Sequence, residues 1–291
     1  MSRLKGYGFV FPAVVALSLI AVYPILYNVG LSFSKWNLLR TDSPTGFAGF
    51  QNYSRVITDR HFQNSLRVTL EFVVGSVGLS VILGLSLALL LNRETAFHSF
   101  MRKILIIPFV LSPALIGYSW RFFLHPEFGI VYFLISGVVP VEEGVFWIAD
   151  ARSAMLALIL VDVWQWTPFV TLTFMAGLAS IPKELSEAAM VDGATKIQNF
   201  LFVTFPLLVP TLLITLIFRT IYSLKEFDKM LLLTKGGPGR ATELVSFYIY
   251  KQALVVFNMG KSAAAAFLLA IIMAALLALL VKVLVRPRAK S

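Results

Sequence analysis

The chain has 291 residues, of which 58% are hydrophobic and only 14% are charged, and its mean hydropathy is +0.82. A soluble domain carries about a quarter charged residues, so this chain has too little polar surface to cover a water-soluble globule. Its 25 Lys and Arg exceed its 15 Asp and Glu, and on so apolar a chain this excess indicates a membrane partner and no nucleic acid. The absence of cysteine excludes disulfides and thiolate chemistry. The three histidines lie far apart in sequence, and we expect no metal site.

Uncharged runs long enough to cross a bilayer recur along the chain. A bilayer core about 30 Å thick needs a helix of about 20 apolar residues. The first run is longer than the apolar part of a signal peptide, so we expect it to be retained as a helix. A run at 128–141 is too short to span the bilayer and is expected at an interface. We predict an all-α integral membrane protein with one transmembrane domain over 1–291 and six spans, at about 7–33, 70–92, 104–124, 153–178, 201–222 and 262–284.

The distribution of Lys and Arg predicts the orientation of these spans. Six spans place both termini on one side of the membrane. The face that holds the termini and the connections 93–103 and 183–196 is denser in Lys and Arg than the face that holds 35–71, 121–152 and 219–261. Positive residues in short loops mark the cytoplasmic side, so both termini are expected to be cytoplasmic.

Prolines interrupt three of the predicted spans. Each proline removes a backbone donor and frees a carbonyl, which needs another partner inside a membrane. Breaks of this kind are expected where protein or a wet cavity receives the carbonyl. The prolines are Pro108 and Pro113 in the third span, Pro168 in the fourth, and Pro206 and Pro210 in the fifth.

A carboxylate lies deep in the fourth predicted span. Asp162 is costly in hydrocarbon and is expected to face the bundle interior or water, with Gln165 on a similar face. Arg121 and Arg219 are candidate partners for it. Two interpretations stay open: an internal salt bridge that fixes helix packing, or a polar and aromatic lining for a hydrophilic solute. The candidate lining residues are Tyr118, Asp162, Trp164, Gln165, Arg219 and Tyr222.

The connection between the fourth and fifth spans, about 181–200, predicts a short helix on the cytoplasmic face. Pro182 suits a first helical turn, Glu184 complements the helix dipole there, and Gly193 suits a helix end. Ala188 and Ala189 leave the helix thin on one side, so another surface can approach closely. From composition alone, an ordinary interhelical loop is the better explanation of the segment.

The motif in this loop resembles a known family. Glu187-Ala188-Ala189 followed by Asp192-Gly193-Ala194 is similar to the EAA loop of ABC-importer permease subunits. Further segments resemble the carbohydrate-uptake branch of that family, and the resemblance covers essentially the whole chain. These segments are Ile181-Pro182, Trp164-x-Trp166-x-Pro168, Phe227-Asp228, Leu233-Thr234 and Gly236-Gly237-Pro238.

The resemblance implies a type I ABC-importer permease in a bacterial-type inner membrane. Its partners would be a second permease subunit in a heterodimer, two cytoplasmic ATPase subunits, and a periplasmic or lipid-anchored solute-binding protein. The solute would be carbohydrate-like. ATP and Mg would bind the ATPase subunits, so this chain would hold no cofactor and would not itself be an enzyme. The residues implied to couple to the ATPase are Glu187, Ala188, Ala189, Asp192 and Gly193.

Three other functions were weighed against the sequence. A stand-alone secondary transporter often shows inverted repeats, and none is evident here. A membrane-embedded enzyme needs clustered His, Asp or Glu inside its spans, whereas Asp162 is the one acid well inside a predicted span. The same importer architecture with a non-sugar solute stays open, and the sequence does not identify the solute.

Overall fold

A computed structural model describes residues 2–92, 95–136 and 148–284 of the chain. Part of the short run predicted at 128–141 lies outside these residues. The described chain is mainly helical. Its helices are α1 (Ser2–Leu17), α2 (Tyr23–Ser32), α3 (Gln51–Ile57), α4 (Arg60–Leu91), α5 (Ala96–Leu105), α6 (Ile107–Val110), α7 (Pro113–Phe123), α8 (Ile130–Ser136), α9 (Ala151–Ala179), α10 (Lys183–Val191), α11 (Lys196–Asn199), α12 (Phe205–Leu224), α13 (Asp228–Leu233), α14 (Val245–Leu254) and α15 (Met259–Leu284).

Short irregular elements complete the described architecture. Two strands, β1 (Ser34–Lys35) and β2 (Gly46–Phe47), pair antiparallel. Single-turn π-helical segments at Ser18–Val22 and Phe200–Thr204 join α1 to α2 and α11 to α12. Because π turns insert an extra residue into a helix, both junctions continue the helical path with a local irregularity.

Five helical stretches of the described chain are long and apolar enough to cross a membrane. A sixth is obtained if the bent pair Ala96–Val110 and Pro113–Phe123, which meet at 96°, forms one span. The predicted class of all-α membrane protein is confirmed, while the count of six and the side of the termini stay predictions. The five stretches are Val10–Ser32, Arg60–Leu91, Ala151–Ala179, Lys196–Leu224 and Met259–Val283.

The bend within the third predicted span, 104–124, follows from its sequence. Leu111 and Ser112 have extended backbones, with ψ of 144° and 140°. The residue before a proline is disfavoured in the α region, so Pro113 forces Ser112 out of the helix. The Ser112 hydroxyl then caps the new helix by accepting the Leu115 N–H at 3.2 Å. The predicted span is therefore two helices with a capped break between them.

The predicted proline breaks divide into two groups. Pro108, Pro113 and Pro206 lie in the first turn of α6, α7 and α12, where a missing N–H donor has no cost. Pro168 and Pro210 lie inside α9 and α12, which run on without interruption. Proline at these positions starts helices more often than it ends them.

Contacts divide the chain into two compact units. Unit 1 comprises 1–63 and 245–272, and unit 2 comprises 64–244 and 273–291. In unit 1 the buried Asn52 side chain donates to the Ser32 and Ser34 carbonyls, both at 2.9 Å, which fixes α3 against the end of α2. In unit 2 a buried cluster of Ala88, Val170, Phe174, Leu178 and Leu208 joins α4, α9 and α12.

Candidate functional site

The helix α10 lies where the sequence predicts a coupling helix, between the long helices α9 and α12. Among the described residues none of its side chains is buried. Glu187, Ala188 and Asp192 are exposed, and Ala189 is half-buried. Apolar side chains are exposed on the same helix, with Val191 87% accessible. Exposed apolar residues beside charged ones are typical of a surface that another protein covers.

The C-terminus of α10 is closed by a specific backbone motif. The Gly193 N–H donates to the Met190 carbonyl at 3.1 Å, and the Ala194 N–H donates to the Ala189 carbonyl at 2.9 Å. This pair of bonds is the Schellman arrangement, which requires a left-handed residue just after the helix. Gly193 supplies it with φ of +86°. The glycine that the sequence suggested as a helix stop therefore has a defined conformational role.

The chain leaves α10 through a second capped turn. Thr195 and Gln198 form a capping box at the start of α11, in which the Gln198 side chain accepts the Thr195 N–H at 2.8 Å. The Asn199 amide also donates to the Ser186 hydroxyl, which joins α11 to α10. These bonds hold α10 and α11 together in the connection that leads to α12.

A second cluster of predicted residues lies inside unit 2. The Asp162 carboxylate accepts from Arg219 Nη2 and from Lys229 Nζ, both at 2.6 Å, and all three side chains are fully buried. Lys229 Nζ also reaches Gln165 Oε1 at 2.7 Å and Glu226 Oε2 at 2.9 Å. Two cations therefore balance two carboxylates, which is the condition under which burial of charge is tolerated. We name Asp162, Gln165, Arg219, Glu226 and Lys229 the charge network.

Gln165 connects the charge network to the break in the third predicted span. Its Nε2 donates to the Leu111 carbonyl at 3.1 Å, while its Oε1 accepts from Lys229. Leu111 lies directly before the capped break, where a helical partner for its carbonyl is lost. The Gln165 side chain therefore provides the hydrogen-bond partner that a carbonyl freed at a proline break needs.

Lys229 and Glu226 are network members that the sequence did not indicate. Both lie in 219–261, which hydropathy placed outside the spans. The helix α13 packs closely on α7, and a Cβ added to Gly117 would lie 2.9 Å from Lys229 Cα. This close approach lets Lys229 reach Asp162.

The sequence pointed to this network only through the charge of Asp162, which needs a partner inside a span. Arg121 and Arg219 were the predicted partners. Arg219 is a partner, whereas Arg121 Nη1 contacts the Leu232 carbonyl at 3.5 Å.

Aromatic side chains lie next to the charge network. The Arg219 guanidinium lies over the Trp166 ring at 5.0 Å, and Trp166 packs against Tyr222 with ring centroids 4.6 Å apart. Phe109 and Phe169 contact Trp166 at 5.4 and 5.8 Å. Tyr222 is 48% exposed, so the cluster has an open side. We name these four rings, Trp166, Tyr222, Phe109 and Phe169, the aromatic face.

The predicted lining residues are only partly brought together. Asp162, Gln165 and Arg219 meet in the charge network, and Tyr222 is joined to it through Trp166. Trp164 instead packs against Trp120 at 5.5 Å and lines an apolar cavity of about 460 Å³. Tyr118 is 68% exposed beside a small cavity of about 160 Å³. In the described chain neither residue forms a hydrogen bond with the charge network, and their role as solute ligands stays a prediction.

Among the described residues, no group of three or more His, Cys, Asp or Glu is placed to hold a metal ion. The charge network contains two carboxylates, but both are paired with cations.

Comparison with known proteins gives concordant matches. Residues 80–290 match the family model described as binding-protein-dependent transport system inner membrane component. The chain is 35% identical to the trehalose/maltose transport system permease protein MalF of Thermococcus litoralis, over 88% of this chain and 84% of that protein. It is 36% identical to the sulfoquinovosyl glycerol transport system permease protein SmoG of Agrobacterium fabrum, over 94% and 87% of the two chains.

A solved structure matches the fold. It is a crystal structure of a bacterial ABC transporter involved in the import of the acidic polysaccharide alginate, and one of its chains superposes with a TM-score of 0.84. The identity is 21%, and the match covers 99% of this chain and 97% of that chain. At this identity the similarity establishes the fold.

Proposed function

This chain belongs to the family of binding-protein-dependent transport system inner membrane components, and on that premise we propose that it couples ATP hydrolysis on partner subunits to solute import through α10. The complex contains a second permease subunit in a heterodimer, two cytoplasmic ATPase subunits that bind ATP and Mg, and an external solute-binding protein. This chain supplies the membrane path, with both termini in the cytoplasm and the bent pair as its third span.

The exposure of α10 and its closed C-terminal end carry this proposal. A helix that has no buried side chain and ends in a Schellman motif is suited to dock into a cleft as one body. Ala188 keeps its surface thin, Glu187 offers a carboxylate to a basic group, and Val191 offers apolar area to bury. Closure of an ATPase dimer on ATP then displaces α10, and α9 and α12 move with it.

The placement of the charge network suits this coupling. Asp162 lies on α9 and Arg219 on α12, the two helices that α10 joins. Their ion pair of 2.6 Å holds these helices in one arrangement. A movement of α10 displaces both helices. The charge network and the bond from Gln165 to the Leu111 carbonyl then differ between the two states that alternating access needs.

We propose that the solute is a sugar or sugar-derived molecule that contacts the aromatic face. Aromatic rings present flat apolar surfaces that suit sugar rings, and Trp166 and Tyr222 lie at the open side. The names of two relatives, for trehalose/maltose and for sulfoquinovosyl glycerol, support a sugar or sugar-derived solute.

Charge reversal on α10 tests the coupling role. In the assembled complex, Glu187→Arg is expected to abolish copurification of the ATPase subunit and solute uptake, because its partner group on the ATPase is basic. Glu127→Arg makes the same charge change at an exposed position between α7 and α8 and should leave both measurements near the wild-type values. A Glu187→Arg protein that inserts normally, retains its ATPase and transports at the wild-type rate would remove α10 from the mechanism.

A further inference from the structure

Unit 1 contains a polar cavity that the proposed transport function does not use. Its volume is about 500 Å³, which lies in the range of small-molecule sites. Three cationic side chains and three amide side chains contribute to its lining, and among its described lining residues there is no carboxylate. These six residues are Lys35, Arg40, Arg55, Asn37, Asn52 and Asn258.

The walls of this cavity are held by backbone structure. β1 pairs with β2, and Asn37 forms an antiparallel bridge with Asn258. The Leu38 N–H donates to the Phe257 carbonyl at 2.9 Å, which secures the same connection. Asn52 is 3% exposed, and its amide holds two carbonyls of the neighbouring turn. The cations are therefore displayed on a fixed frame.

Some cations of the described chain are paired with a carboxylate, and the three cations of the cavity are not. Lys261 pairs with Asp59, Arg67 pairs with Glu71, and Lys229 pairs with Asp162. In the part of the chain that the structure describes, no carboxylate pairs with Lys35, Arg40 or Arg55. Three uncompensated positive charges around one concave site favour an anion as its occupant. The two guanidinium groups are suited to bidentate contact with phosphate or carboxylate oxygens.

The positions of the lining residues along the chain indicate which kind of anion the cavity binds. Lys35 follows the end of one apolar stretch by a few residues, Arg55 precedes a second by a few residues, and Asn258 directly precedes a third. Span ends lie at the level of the lipid head groups, so a cationic cavity there lies within reach of lipid phosphates. The three stretches are Val10–Ser32, Arg60–Leu91 and Met259–Val283.

We propose that this cavity binds the head group of an anionic phospholipid. Lys35, Arg40 and Arg55 neutralise the phosphate, and the amide nitrogens of Asn37 and Asn258 are suited to bond head-group hydroxyls. Bound lipid would fix the β1–β2 connection against the ends of the spans. The site lies within unit 1 and makes no use of α10 or of the charge network, so it stands or falls independently of the transport function.

Native mass spectrometry of the purified full-length chain tests the proposal. The probes are phosphatidylglycerol, phosphatidylcholine and soluble glycerol 1-phosphate. The wild-type chain is expected to retain phosphatidylglycerol in preference to phosphatidylcholine, and glycerol 1-phosphate should not displace it. Each cation near the surface contributes about a fivefold change in affinity, so the variant Lys35→Gln/Arg40→Gln/Arg55→Gln should bind phosphatidylglycerol about a hundredfold more weakly.

Two control variants separate the site from general charge and folding effects. The variant Arg60→Gln/Arg152→Gln/Lys225→Gln removes three exposed cations that do not line the cavity and should bind as the wild type does. The variant Lys35→Arg/Arg40→Lys/Arg55→Lys keeps the charge and should retain the preference. Equal retention by the cavity variant and the wild type would overturn the proposal. So would an absence of preference for phosphatidylglycerol in the wild type, or displacement by glycerol 1-phosphate, which would indicate a soluble ligand.

Discussion

Gly193 shows how one residue fixes the geometry at the end of α10. Its φ of +86° is reached at low cost by glycine and costs other L-residues about 1–2 kcal/mol. Nothing lies within 4 Å of the position that a Cβ would occupy. Glycine is therefore required at this position by the backbone conformation and not by lack of space. A substitution here tests backbone strain without adding a steric clash.

Substitution of Gly193 tests this requirement. Gly193→Ala should lower coupled transport, because the Schellman motif is strained and α10 loses its fixed end. Gly193→Asn should retain more activity, since Asn tolerates the left-handed region better. Gly78→Ala is the matched control, because Gly78 also has free space around its Cβ position but lies inside α4. Uptake by the assembled complex is the measurement, and equal activity of Gly193→Ala and Gly78→Ala would contradict the account.

The environment of Asp59 predicts that the stability of unit 1 depends on pH. Burial raises the pKa of its carboxyl, but hydrogen bonds from Lys261, the His61 N–H and Tyr248 outweigh burial and lower the pKa from 3.8 to about 2. A lowered pKa in the folded state gives stability that is fully present above the unfolded value. This stability is lost as pH falls toward the folded value.

The thermal stability of the purified chain should therefore fall between about pH 4 and pH 2, with a contribution from Asp59. Asp59→Asn should be less stable than the wild type at neutral pH and should show a smaller fall across this window. Thermal unfolding at a series of pH values measures both effects. An identical pH profile for Asp59→Asn and the wild type would contradict the assigned role.

At the scale of elements, the charge network joins four parts of unit 2. Asp162 and Gln165 belong to α9, Arg219 to α12 and Lys229 to α13, and Gln165 holds the Leu111 carbonyl at the break before α7. An ion pair at this depth is weak evidence for stability, because removal from water offsets the attraction. Its effect is on specificity, since the charges are satisfied in one arrangement of these helices.

Removal of one network member should be much more harmful than removal of a balanced pair. Lys229→Met leaves buried carboxylates without this cation and should destabilise the chain by about 3–5 kcal/mol. The double variant Lys229→Met/Glu226→Gln removes one charge of each sign and should recover part of the loss. Thermal unfolding in detergent measures the difference, and a double variant no more stable than Lys229→Met would contradict the balance of charges.

At the scale of the whole chain, hydropathy and local motifs predicted the elements, and tertiary contacts decided their details. The spans were visible because apolar runs report burial or lipid contact directly, and α10 was visible because its cap and its motif are local in sequence. Asp162 with Arg219 was among the predicted pairings. Lys229 was missed because α13 is too short to register as a span and begins with two charged residues, and the burial of Lys229 depends on the close approach of α13 to Gly117.

The orientation of side chains around a helix was the part that the sequence did not resolve. Trp164 and Trp166 are two residues apart, and Trp164, not Trp166, was predicted as a lining residue. Two residues correspond to about 200° of rotation, so they lie on opposite sides of α9. Trp166 joins the aromatic face, and Trp164 packs against Trp120. Such a choice depends on the neighbouring helices, which a single sequence does not place.

Uptake into proteoliposomes tests the central claim most directly. The vesicles would contain this chain with its partner permease and ATPase subunits, with the solute-binding protein and solute outside and ATP with Mg inside. Import that requires both ATP and the binding protein, and that the Glu187→Arg variant lacks, is the predicted result. Import by this chain alone under an ion gradient, without ATPase or binding protein, would contradict the account.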